Sequence, residues 1–226
     1  MFACLREARL AWPRAVVFDF DYTLVDSSRA VIACANYALS ALGLPLASAE
    51  AICRTIGLPL PDILVELAGR EHASRGEEFR RLFVSKGDEV GNELTVLLAE
   101  AAPAIHALRS CGLGLGIVST KLRYRMEGFL RREGLLDAFT IIVGVEDVPA
   151  PKPDPSGLLL AVERLRVSPT DCLYVGDSVV DAETARRAGV PFLAVLSGVT
   201  PKEAFTAYPV HNIISGLAEL PTLLGC

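Results

Sequence analysis

The second half of the chain alternates short apolar runs with amphipathic stretches. Leu115 to Val118, Ile141 to Val143, Leu173 to Val175 and Pro191 to Val195 read as strands, and Ile213-Ile214 as a last short one. Helical spacing fills the gaps at Pro103 to Ser110, Tyr124 to Glu133, Pro155 to Leu165 and Val180 to Ala188, with Gly134 and Gly189 as stops. An earlier apolar run, Val16-Val17-Phe18, leads directly into Asp19 and Asp21. Unbroken apolar strands separated by helices predict a doubly wound α/β fold, a parallel sheet covered on both faces.

Between residues 27 and 95 the pattern is different. Asp26-Ser27-Ser28 starts a helix that runs over Ala30 to Leu42 and is ended by Gly43 and Pro45. Further helices are predicted at Ser48 to Thr55, Asp62 to Leu67 and Glu77 to Lys86, and the Thr95 to Leu98 run reads as helix or connector. An all-helical domain over 27–95 is therefore expected as an insert in an α/β core made of 1–26 and 96–226. Residues 1 to 14 read as a short arm or half-helix packed on the core.

Composition narrows the possible functions. Apolar residues make up 51 % of 226, enough for a sizeable core. The net charge of −5 gives no nucleic-acid footprint. The first 14 residues carry Arg6, Glu7, Arg9 and Arg14 and so lack a secretory apolar stretch, while the uncharged run Val31 to Ala49 is broken by polar residues, Gly43 and Pro45. A cytoplasmic protein with no membrane partner is expected. The six cysteines form no Cys-x-x-Cys pair, so they read as reduced thiols, with Cys226 free at the terminus. Glycines 112, 114 and 116 precede a strand instead of opening a helix, which argues against a dinucleotide site.

Four polar clusters stand at or after the ends of predicted strands: Asp19 with Asp21, Ser119 with Thr120, Lys152 within Ala-Pro-Lys-Pro-Asp-Pro, and Gly176-Asp177-Ser178 with Asp181. Parallel strands would gather them at one crevice. Clustered carboxylates repel, and a cation relieves that repulsion. An all-oxygen set suits a hard ion such as Mg²⁺, which also takes phosphate oxygens. A carboxylate can attack phosphorus, a lysine and a hydroxyl can hold phosphoryl oxygens, and a second carboxyl can protonate the leaving oxygen.

The order Asp-x-Asp-x-Thr, strand-end Ser-Thr, Lys, then Gly-Asp-x-x-x-Asp resembles the four-motif layout of the haloacid dehalogenase superfamily across residues 15 to 181. Ile117 to Lys121, Val148 to Pro155 and Tyr174 to Ser178 are similar to its phosphoglycolate phosphatase and pyrophosphatase-like branch, and the helical insert to that branch's type 1 cap. The resemblance implies a Rossmann-like core, a Mg²⁺ cofactor and a small phosphorylated substrate. It makes Asp19 the nucleophile and Asp21 the general acid and base. Ser119, Thr120 and Lys152 become phosphate ligands. Asp19, the Asp21 carbonyl and Asp177 become metal ligands, with Asp181 supporting the metal directly or through water. Tyr22 departs from the family, which usually has glycine there.

Each residue also has a plainer reading. Asp177 and Asp181 could cap a helix, Ser119 likewise, and Lys152 could be a solvated loop lysine. Arg54 and Gly57 resemble a specificity loop, and Lys121 could meet substrate or merely begin a loop. Lys86 reads as a solvated helix lysine sooner than a Schiff-base former. The functional reading is a Mg²⁺-dependent phosphatase acting on a small phosphomonoester such as phosphoglycolate through an aspartyl-phosphate. Its rivals are a pyrophosphatase, a sugar phosphomutase and a silent phosphate-ligand binder.

Overall fold

The structure is a computed structural model that describes residues 13–226, so the arm expected over residues 1 to 14 lies almost wholly outside the described residues. Six parallel strands form the main sheet: β1 (Ala15–Phe18), β4 (Gly114–Val118), β5 (Ile141–Val143), β6 (Cys172–Gly176), β7 (Phe192–Val195) and β8 (Val210–Ile214), in the order β5-β4-β1-β6-β7-β8. A second, two-stranded sheet pairs β2 (Val25–Asp26) antiparallel with β3 (Val96–Leu97). Within the Thr95 to Leu98 run, read as helix or connector, Val96–Leu97 is a short strand: Asp26 and Val25 give it a pairing partner about 70 residues away, which a local pattern does not reveal.

Successive side chains of the main strands alternate between two apolar layers. Val16 and Phe18 join Leu115, Ile117, Leu173 and Val175 on one face, while Ala15 and Val17 join Cys172 and Tyr174 on the other. The first face is covered by α5 (Ala101–Ser110), α6 (Arg123–Arg132) and α9 (Glu219–Leu224), the second by α7 (Ser156–Leu165) and α8 (Val179–Ala188). Both faces are buried, which is why the strands up to β7 are nearly all apolar, while the edge strand β8 carries His211 and Asn212.

Helices α1 (Ser28–Ala41), α2 (Ala49–Cys53), α3 (Leu60–Ala68) and α4 (Gly76–Leu94) lie between β2 and β3 and share a separate core of Leu39, Ile52, Leu64 and Phe79. Asp26 Oδ1 accepts from the Ser28 amide at 2.8 Å and so satisfies a free donor at the start of α1. The helical block meets the main body through α6. Arg125 reaches Asp88 at 2.8 Å and the Val84 carbonyl, and Arg132 reaches the Asn92 carbonyl. No helix of the described residues is long and apolar enough to cross a membrane.

Cys111 and Cys226 are joined, with Cα atoms 5.7 Å apart. This corrects the expectation of a free terminal thiol. Packing of α9 against α5 brings together cysteines 115 residues apart, a pairing that no spacing motif announces.

Candidate active site

The register explains why distant residues meet. Phe18 is level with Ile117 on one side and Val175 on the other, so Asp19, Ser119 and Asp177 all emerge just beyond adjacent strand ends. The Asp19 amide donates to the Val175 carbonyl at 2.8 Å, which continues the β1–β6 pairing into the site. Strand β1 is where the sheet order turns, with β4 on one side and β6 on the other, the position at which open α/β sheets bind ligands.

Lys152 is the hub. The residue is 6 % exposed, and its ammonium donates to Asp19 Oδ1 at 2.7 Å, Asp181 Oδ1 at 2.6 Å and the Tyr174 hydroxyl at 3.2 Å. The Tyr174 hydroxyl lies 2.8 Å from Asp181 Oδ1 and 3.3 Å from the Val118 carbonyl. Asp181 Oδ2 accepts from the Ser178 hydroxyl and amide at the start of α8, so both its oxygens are engaged. Asp177 accepts from the Thr23 hydroxyl at 3.3 Å. Ser119 is buried, and its hydroxyl accepts from the Lys121 amide at 3.3 Å.

Carboxylate oxygens of Asp19, Asp177 and Asp181 lie within 4.8 Å of one another, all buried. With Asp21 there are four carboxylates against the ammonium groups of Lys152 and Lys121, leaving two negative charges uncompensated. The electrostatics register this excess. Asp19 is raised to about 7: burial pushes it up most, Lys152 pulls it down, and Asp181 pushes it up again. Asp177 is raised well above the usual carboxylate range by burial, then by Asp181 and Asp19. Burial alone would lower Lys152, but Asp181 and Asp19 hold it well above its ordinary value. A divalent, oxygen-seeking cation fits the donor set and balances the charge.

Loop 19–25 folds back on itself: the Tyr22 amide donates to the Val25 carbonyl at 2.7 Å and the Leu24 amide to the Phe20 carbonyl at 2.9 Å. That turn needs a left-handed residue, and Tyr22 supplies it at φ +61°. Its ring is buried and its carbonyl accepts from Ser197. Asp21 is gripped by Lys121, 2.8 Å from Oδ1 and 3.0 Å from Oδ2.

The other candidates divide. Thr120 turns its hydroxyl to the Gly57 carbonyl of the helical block at 3.2 Å. Gly57, at φ +97°, lines a cavity between block and core together with Asp21 and Lys121. Arg54 is exposed and pairs with Glu50 at 2.6 Å, away from the carboxylates. Lys86 pairs with Glu89. Four residues to which the sequence reading gives no role also contribute: Tyr174, Thr23, Ser197 and Gly198. A side-chain carbon on Gly198 would fall 1.9 Å from Asp177 Oδ2, so only glycine lets the loop after β7 approach that carboxylate.

Fold and site together define a doubly wound α/β protein with a buried carboxylate cluster at its strand ends. The chain belongs to the haloacid dehalogenase-like hydrolase family, whose model matches residues 16–195. It is 33 % identical over 234 aligned residues to the phosphoglycolate phosphatases of Shigella sonnei and Escherichia coli K12, covering 94 % of this chain and 92 % of each relative. Among solved structures, a protein of Bacteroides fragilis assigned as a haloacid dehalogenase-like hydrolase matches with TM-score 0.88 and 43 % identity, covering 92 % of this chain and 99 % of that one. A Lactobacillus plantarum protein assigned as a phosphoglycolate phosphatase matches with TM-score 0.84 and 26 % identity, covering 94 % and 99 %. Likeness to phosphatases over nearly the whole length makes the chain a phosphoric monoester hydrolase.

Proposed function

We propose that the chain hydrolyses a small phosphomonoester in two steps through an aspartyl-phosphate on Asp19. An Asp19 oxygen attacks phosphorus as the bond from phosphorus to the ester oxygen breaks, and the Asp21 carboxyl gives that oxygen its proton. Water then attacks phosphorus and passes a proton to Asp21. The bond to Asp19 breaks, and phosphate leaves with the nucleophile restored. Lys152 faces the phosphoryl oxygens, and Ser119 donates to one of them.

Asp19, Asp177 and the Asp21 carbonyl would hold Mg²⁺, which when bound screens phosphoryl charge and neutralises the carboxylates. Asp181, with both oxygens already engaged, acts through Lys152 and Tyr174 rather than as a direct ligand. Residues 27–95 act as a cap, and the β2–β3 pair is the hinge that carries both crossings between cap and core. Lys121 orients Asp21.

The single observation that carries the reading is Lys152 buried between Asp19 and Asp181 beside Asp177, with negative charge to spare for a metal. Phosphoglycolate enters as the substrate in the curated relatives' name. The test is phosphate release from phosphoglycolate, other phosphomonoesters, pyrophosphate and a sugar phosphate, with Mg²⁺ and with chelator. Metal-dependent release from monoesters supports the reading. Preference for pyrophosphate, or sugar phosphate isomerised without release, would replace it.

A further inference from the structure

The cavity between cap and core has a volume of about 290 Å³, near the lower bound of small-molecule sites. Asp21 and Lys121 are among the residues that line it. Given the reaction proposed above, the group that Asp21 protonates is the leaving oxygen, so the leaving alcohol must extend from Asp21 into this space.

Its walls are mostly apolar. Ile56, Leu58 and Leu60 approach from the turn before α3 and from that helix's start, and all three are only half-buried. Phe83 of α4 closes another side, and Leu122 and Val145 contribute from the core. Three basic side chains touch the cavity, and each is already committed. Lys121 holds Asp21, Arg80 makes a two-pronged pair with Glu77 at 2.6 and 2.7 Å, and Arg125 is bound to Asp88 and the Val84 carbonyl. Glycolate would bring a carboxylate to mostly apolar walls where every lining cation already has a partner, so the charge would gain little there. It would also leave space: even at the roughly 30 Å³ share of a whole water molecule, more than a bonded atom takes, glycolate's heavy atoms fill at most about half of the cavity.

We propose that this cavity is the leaving-group site and that it selects phosphomonoesters of alcohols with a branched or cyclic apolar body, in preference to phosphoglycolate. The inference rests on the phosphatase reading and narrows its substrate class. Apolar matter placed against Leu58, Leu60 and Phe83 would cover surface that the fold leaves uncovered.

The test uses ethyl, butyl and 3-methylbutyl phosphate, whose leaving alcohols differ little in acidity, beside phosphoglycolate, all with Mg²⁺. The expected kcat/KM rises at least tenfold from ethyl to 3-methylbutyl phosphate, with the latter at least tenfold above phosphoglycolate. Leu58→Arg should shrink the second ratio by tenfold or more. In parallel, calorimetry on the Asp19→Asn protein with Mg²⁺ compares 3-methylbutylphosphonate with phosphonoacetate, which needs no turnover. Tighter binding of the branched phosphonate supports the site even if no ester is hydrolysed, in which case the phosphatase reading alone fails. Hydrolysis with a flat series, or with phosphoglycolate preferred, overturns the selectivity and leaves the phosphatase reading intact. Equal binding of the two phosphonates, or binding of neither, also overturns it.

Discussion

Lys121 holds both carboxylate oxygens of Asp21, at 2.8 and 3.0 Å, from a position one hundred residues later in the chain. The ammonium also sits 5.8 Å from the centre of the Phe20 ring. Asp21 is therefore aimed by a cation on the neighbouring β4 loop. Removing that cation in Lys121→Met should lower kcat about tenfold, a fraction of the roughly 10²–10⁴ typical of general acid–base catalysis. Lys121→Arg should recover part of it. Steady-state kinetics across pH checks this, because mispositioning of Asp21 alters the acid–base limbs of the profile as well as the plateau. An unchanged kcat in Lys121→Met would mean that the pair does not orient the acid.

The metal-free protein should lose stability as pH rises. Asp19 moves from an ordinary 3.8 to about 7 on folding. Between those values the folded state binds more protons than the unfolded one, so this contribution is present below about pH 4 and is gone above about pH 7. Asp177 shifts in the same direction. Mg²⁺ must displace the proton that Asp19 holds, so its affinity should increase from pH 5.5 to 7.5, by up to tenfold per pH unit for each proton released. Melting curves in chelator and Mg²⁺ titrations at three pH values test both. A pH-independent Mg²⁺ affinity would contradict the assignment of Asp19 as a ligand.

Tyr174→Phe should affect the site more than the fold. The hydroxyl touches Lys152, Asp181 and the Val118 carbonyl within a fully buried strand. Its loss leaves those partners short of a hydrogen bond, at a cost of about 1–3 kcal/mol. The ring remains to fill the core. Urea unfolding should show that loss, and activity should fall as Lys152 loses one of its three anchors. Wild-type stability in this variant would show that the hydroxyl carries no weight.

Tyr22→Gly separates strain from packing. A non-glycine residue in the left-handed region costs about 1–2 kcal/mol, while truncating a buried aromatic costs about 3–5 kcal/mol. The net expectation is a loss of about 1–4 kcal/mol, read by urea unfolding. A variant more stable than wild type would show that the strain dominates.

The sheet and its carboxylates were legible because burial on both faces forces uninterrupted apolar runs, and charges at their ends then stand out. Asp19 and Asp177 stand out as candidates in that way, and Lys152 by its proline-rich surroundings. Tyr174 does not, since an aromatic inside an apolar run looks like core, and only its hydroxyl contacts reveal the second role. Gly198 follows β7 with no motif around it, and its value lies in an approach to Asp177 that only folding creates. Thr120 looked like a twin of Ser119, yet adjacent residues at a strand end face opposite ways, and its hydroxyl meets the Gly57 carbonyl. Arg54 looked available for substrate, but Glu50 lies one helical turn away on the same exposed face. The Cys111–Cys226 link depends on the docking of α9, which local pattern does not encode.

The most direct test of the central claim is to trap the phosphorylated enzyme. Wild type and Asp19→Asn would be mixed with the best substrate and Mg²⁺, quenched in acid within a turnover, and digested for mass spectrometry. The expected result is one added phosphoryl group on the peptide carrying Asp19 in wild type, none in Asp19→Asn, and phosphate release abolished in the variant. Retained phosphate release by Asp19→Asn, or a phosphoryl group on another residue, would contradict Asp19 as the nucleophile.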